Sequence, residues 1–151
     1  MTANTDPREA FESIVGAGQY MTLATADASG LPWASPVWFA TIDFQEFFWI
    51  SSPDARHSQN LAVRSELALS IYDSRQPPMT GLGVYVSAIG IQVPESELAD
   101  ALSVYADREH KVGISPLERS DVLPPAKHRM YRATATERYV LGSGDTRVPV
   151  P

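Results

Sequence analysis

Residues Phe47–Leu61 read FFWISSPDARHSQNL, an aromatic-rich strand running through Ser51, Ser52 and Pro53 into a helix that carries Arg56 and His57. The first turn of a helix holds backbone N–H groups without intrahelical partners and a partial positive charge. Two hydroxyls, a guanidinium and an imidazole around such a turn form a cradle for a phosphate. The plainer alternative makes Ser52 the helix cap and Pro53 its first residue, and leaves Arg56 and His57 solvated. Asp54 suits the helix dipole but repels a phosphate unless it points away.

Upstream, Asp6, Pro7 and Glu9 carry the signature of a helix start, and Ala10, Phe11, Ile14 and Val15 give that helix one apolar face that Gly16 and Gly18 end. Strands are predicted over 20–26, 33–42 and 47–51, joined by turns at 27–30 and 43–45, as a three-strand meander. Pro36 within the second strand implies an edge position or a bulge, because proline cannot donate to a ladder. Downstream, a helix is predicted over 53–65 and a fourth strand over 67–72. The loop 74–81 contains Pro77 and Pro78 and either covers a cleft or serves as a plain connector. A fifth strand follows over 83–93, a helix over 95–108 and a short helix opening at Ser115 and Pro116. The alternating run Arg129–Leu141, RMYRATATERYVL, predicts a sixth strand, and the tail 142–151 reads as turns. Six strands at hairpin-like spacing with interrupting helices predict a mainly β, α+β fold: an antiparallel barrel or sandwich with flanking helices. A Rossmann fold is disfavoured, since no G-x-G-x-x-G follows the first strand.

The 151 residues suit one domain, with 1–18 as an N-terminal helix. A net charge of −6 argues against a role in non-specific nucleic-acid binding. The chain has no cysteine, which removes thiolate chemistry and Cys-based metal sites and fits a reducing cytoplasm. Neither a secretory leader pattern nor an apolar run of membrane-spanning length is present in the sequence, so a cytoplasmic, non-membrane protein is expected. His57, His110 and His128 lack metal-ligand spacing. Neither a nucleophile elbow nor a general base stands out. The aromatics Trp33, Trp38, Phe39, Phe47, Phe48 and Trp49 are core material in the plain reading, with the outward half free to face a planar ligand.

The ordered segments SGLPWASPVWFATID, FFWISSPDARHSQNLAVRSELALSIYD, GVYVSAIGIQV and RMYRATATERYVL, with DTRVPV after them, resemble the pyridoxamine 5'-phosphate oxidase-like superfamily of flavin-binding split β-barrels. The resemblance implies a homodimer with two cofactors in clefts between the subunits. It implies FMN as cofactor, with a deazaflavin in a related branch, and an oxidoreductase acting on a small molecule. It places the backbone of Pro36, Val37 and Trp38 along the ring system, Ile50 and Ser51 toward the ribityl phosphate, and the basic pair of the helix on Arg56 and His57. Arg147 is expected to reach toward the neighbouring subunit's cleft. The chain departs from the family's flavin-binding oxidases where two further basic residues are replaced by Ser35 and Ala40, where the helix lysine is His57, and where a glutamine is replaced by Gly83. A flavin carrier without turnover is the reading from another class.

Overall fold

A computed structural model describes residues 6–77 and 79–151. Pro78, one of the two prolines expected to stiffen the 74–81 loop, lies outside the described residues, as do residues 1–5.

Helix α1 (Pro7–Ala17) starts where the Asp6 carboxylate accepts from the Arg8 amide at 2.9 Å, and it buries Ala10, Phe11 and Val15. Strands β1 (Tyr20–Ala26) and β2 (Pro32–Trp38) form a hairpin. Its turn is held by Asp27, whose carboxylate accepts from the Ser29 hydroxyl at 2.6 Å and from the Ser29 and Leu31 amides. These bonds, the Ser29 hydroxyl first, keep the Asp27 carboxyl below the usual range. Gly30 closes the turn at φ +90°, a conformation other residues rarely adopt.

The remaining strands are β3 (Ala40–Ile42), β4 (Glu46–Ser51), β5 (Glu66–Tyr72), β6 (Gly83–Gln92), β7 (Arg129–Leu141) and β8 (Arg147–Pro149). The helices α2 (Arg56–Val63), α3 (Leu98–Lys111) and α4 (Arg119–Val122) interrupt them. The antiparallel sheet runs β2-β1-β5-β6-β7-β4-β3, with β8 added to β7. Among the described residues, eight strands therefore replace the six expected.

The difference has two causes. The expected strand 33–42 breaks at Phe39 into β2 and β3, which lie at the two ends of the sheet order. A three-strand meander is thus not formed: β2 pairs with β1, while β4 pairs with β3 and β7. Because one residue joins the two ends of the sheet, the sheet must curl until those ends approach, which produces the split barrel. Phe39, 1% exposed, turns its ring into the core at that crossing and meets Phe47 at 6.1 Å between centroids. Pro36 does stand on an end strand, as its missing N–H requires. The second cause is β8: Val140↔Val148 and its neighbours pair a tail expected to be turns with β7.

Other boundaries moved. Helix α2 begins at Arg56, since the Ser52 carbonyl and hydroxyl accept from the Ala55 and Asp54 amides at 3.1 Å each and close a separate turn. Residues Glu95–Glu97 form a 3-10 turn ahead of α3, and the short helix starts after Glu118 with a capping box to Asp121 rather than at Ser115.

Alternation along each strand sorts side chains between two cores. Phe47 and Trp49 point into the barrel with Phe11, Met21, Leu23, Leu69, Ile71, Val84 and Val86. Phe48 and Met130 point outward beneath α3 and α4, against Leu98, Leu102, Tyr105 and Val122. Each fully buried large side chain contributes roughly 1.5–3 kcal/mol. Arg132 ties the turn ahead of α3 to the sheet through Glu97 at 2.7 Å and Glu46 at 3.4 Å.

Candidate functional site

Helix α2 closes one end of the barrel, and its first turn lies where β2 and β4 approach each other. His57 links them. Its Nδ1 is 3.1 Å from the Ser35 hydroxyl on β2, and its Nε2 is 2.7 Å from the Ser51 hydroxyl on β4. His57 and Ser51 are 9% and 8% exposed, and burial pushes the imidazole pKa down. Three residues along α2, Asn60 donates to the Thr25 hydroxyl at 3.0 Å, and Thr25 lies 3.4 Å from the Trp33 carbonyl. The Ser58 hydroxyl is buried there without a partner.

Arg56 takes the opposite side of the same turn. Its guanidinium lies 5.2 Å from the centroid of the exposed Trp33 ring and 3.5 Å from the Asp27 carboxylate. The Arg56 side chain stays 43% exposed, so the charge is available to a ligand. Among the described residues no side chain caps α2, and no acidic residue stands in its first turn. Asp54 is exposed in the turn before it. This corner offers the Arg56 cation, hydroxyls and a helix N-terminus, a donor set suited to an anion such as a phosphate.

The structure thus gathers Ser51, Arg56 and His57, together with Ser35, but disperses the other expected residues. Val37 points into the barrel core, Pro36 is exposed on the outer face, and Trp38 meets Tyr105 of α3 edge-on at 4.9 Å. Ile50 packs in the core beneath α3, and Ser52 belongs to the separate turn. The helix spacing of Asn60 to His57 could have disclosed the second polar contact. Nothing local could have disclosed Asp27, which reaches Arg56 only because the β1–β2 hairpin folds against α2.

Two broad clefts lie at the other end of these strands. One, of about 830 Å³, is lined by Ser70, Tyr72, Tyr85 and the loop residues Met79–Gly83, with 141–145 as its far wall. The other, of about 550 Å³, shares Tyr72 and Leu82 and is closed by the end of α1 and by Tyr20. The 74–81 loop therefore does line a cleft. Arg147 stacks on Tyr85 at 3.9 Å beside it. Neither cleft is lined by the residues expected to hold a cofactor.

Outside the clefts, the outer face of β2, β1, β5 and β6 carries small side chains in register. Ala34 lies against Ala24, Ala24 against Ala68, and Ala68 against Ser87. Among the described residues no cluster of metal-ligating side chains is present and no helix is long and apolar enough to cross a membrane.

Residues 7–139 match the pyridoxamine 5'-phosphate oxidase family, and the chain belongs to it. No curated protein matches the sequence. Among solved structures, the chain is similar to a heme binding protein from Mycobacterium smegmatis, at 19% identity and a TM-score of 0.75 over 99% of this chain. The chain spans 59% of that protein's length. It is also similar to a FAD-binding protein from Mesorhizobium loti, at 15% identity and a TM-score of 0.69 over 93% of this chain and 97% of that one. An F420 reductase matches at 22% identity and a TM-score of 0.58 over 84% of this chain and 94% of that one. At these identities the likeness speaks for the fold.

Proposed function

We propose that this chain is an FMN-dependent oxidoreductase that works on a small molecule as a homodimer, with the cofactor phosphate seated at the first turn of α2. One observation carries the reading: a half-exposed guanidinium, laid on Trp33 and 3.5 Å from the Asp27 carboxylate, stands beside a helix N-terminus with no side-chain cap and no acidic residue in its first turn. That corner follows β4, where the family resemblance expects the phosphate. Arg56 would bind the phosphate, and the Ser35 and Ser51 hydroxyls would add donors. The free edge of β2 would present backbone groups to the ring system, with Pro36, Val37 and Trp38 setting its path. FMN, when bound, supplies the electron and hydride transfer.

The dimer is supported by the small-residue face of β2, β1, β5 and β6, which lets a second sheet approach closely. Two copies packed there would bring one chain's Arg147 and 141–145 wall toward the other chain's α2 corner. FMN is favoured over a deazaflavin, whose longer anionic tail calls for an extended basic groove. Around Arg56 the neighbouring charges are Arg64, which donates to the Asp27 carbonyl, and the carboxylates of Asp27 and Asp54.

The test is a titration of the purified protein with FMN, riboflavin and a deazaflavin side by side, followed by turnover with NAD(P)H and an artificial acceptor. Micromolar binding of FMN, tighter than that of riboflavin, supports the reading. Failure to bind FMN sinks it, preference for the deazaflavin reassigns the cofactor, and binding without turnover makes the protein a carrier.

A further inference from the structure

We infer that Ser35, His57 and Ser51 form a proton-linked set, in which an anion bound beside Arg56 draws a proton onto His57 and frees the Ser35 hydroxyl to donate to the anion. The inference rests on the phosphate-seat reading and goes beyond it, because it assigns His57 a positioning role rather than direct contact.

The argument starts from the two hydrogen bonds of the imidazole. A neutral imidazole has one N–H donor and one bare nitrogen. With Ser35 at Nδ1 and Ser51 at Nε2, one serine must therefore donate its hydroxyl proton to the ring, whichever tautomer is present. That proton cannot serve an external ligand. A doubly protonated ring donates at both nitrogens, so both serine oxygens become acceptors and both hydroxyl protons turn away from it. Ser35 shares its face of β2 with Trp33, the residue under the Arg56 guanidinium, and is partly exposed. Its freed proton therefore emerges next to the cation.

The surroundings leave the switch to the ligand. The polar groups packed on His57 are the neutral Ser35 and Ser51, with the neutral pair Asn60 and Thr25 one helical turn further. The charged groups nearby are Arg56 and Arg64 of α2, Asp27 of the β1–β2 turn and Asp54 before α2. Asp27 is engaged by Arg56 and, through its carbonyl, by Arg64, and Asp54 is exposed. Among the described residues no carboxylate contacts the ring, so burial acts unopposed and holds the imidazole pKa below its ordinary value. A lysine at this position would keep a permanent charge; His57 makes the charge conditional on occupancy.

Two measurements test this. In the first, the His57 imidazole is titrated by NMR with and without sulfate, an anion that does not itself titrate in this range. The expected result is an upward shift of the His57 pKa with sulfate. In the second, FMN and riboflavin affinities are compared for wild type and His57→Gln between about pH 8 and about pH 6. The wild-type to variant affinity ratio for FMN should grow on acidification, by up to about tenfold per pH unit between the free and ligand-bound pKa values. For riboflavin the ratio should stay flat. Comparing the two proteins cancels the titration of the FMN phosphate itself. Ser35→Ala, at a partly exposed site, should lower FMN affinity and blunt the pH dependence if the variant at His57 does not fold. A His57 pKa unmoved by sulfate, or a constant affinity ratio with FMN bound, overturns the inference and leaves the phosphate seat standing. No FMN binding at any pH removes the phosphate seat, while the sulfate measurement still decides the proton linkage.

Discussion

Replacing Arg56 with Ala separates binding from folding at the α2 corner. In the free protein the guanidinium makes a half-exposed ion pair at 3.5 Å with Asp27 and lies 5.2 Å from the Trp33 centroid. Half-exposed pairs of that length are screened and add little to stability, and an exposed cation–π contact is worth roughly 0.5–1 kcal/mol. The unfolding midpoint should therefore move slightly. A charge-assisted hydrogen bond to a phosphate is worth about 1.5–3 kcal/mol. At ~1.4 kcal/mol per decade, losing it weakens FMN binding by roughly ten- to 150-fold. Riboflavin carries the ring and ribityl chain without the phosphate, so its affinity should stay within about twofold, well under 1 kcal/mol. Fluorescence titration of both ligands, beside urea unfolding of both proteins, gives the comparison. Equal losses for FMN and riboflavin, or an unchanged FMN affinity in a folded variant, would refute the placement of the phosphate.

Three further outcomes are expected. Burial lowers the folded-state pKa of His57 below its ordinary 6.5, so its contribution is fully present above that value and is lost as pH falls through the folded-state pKa; urea unfolding should show acid-dependent destabilisation of the wild type that His57→Gln reduces. A Cβ at Gly90 would stand 2.9 Å from Leu67 Cδ2 and 3.0 Å from Leu61 Cδ2, so those leucine ends must shift and Gly90→Ala should cost about 1 kcal/mol; an unchanged urea midpoint contradicts this packing. Ala68→Arg places a charge amid Ala24 and Ser87 on the flat sheet face, and sedimentation velocity should show a dimer for wild type and a monomer for the variant, whereas a dimeric variant would move the interface elsewhere.

Much of this protein is legible in its sequence because much of it is set locally. Asp6 and Pro7 start α1, Asp27 and Gly30 make the first hairpin turn, and the long alternation of Arg129–Leu141 marks β7 to the residue. Local chemistry of this kind acts over a few residues and needs no partner. The aromatic strand leading to Arg56 and His57 likewise marked where a strand end, two hydroxyls and a helix start would meet, since residue types and helix ends carry that signal by themselves. What the sequence could not decide was how distant segments pair. Nothing near Phe39 tells the chain to leave one end of the sheet for the other, and three residues at Arg147–Pro149 form a strand only because β7 offers a free edge. The same holds within FFWISSPDARHSQNL. Its sequence placed a histidine at the helix start, but only the curling of the barrel carries Ser35 and Ser51 to its two nitrogens. That closure buries His57 as a neutral link across the seam and leaves Arg56 alone facing solvent, because burial penalises a charge that the exposed side of the turn can keep.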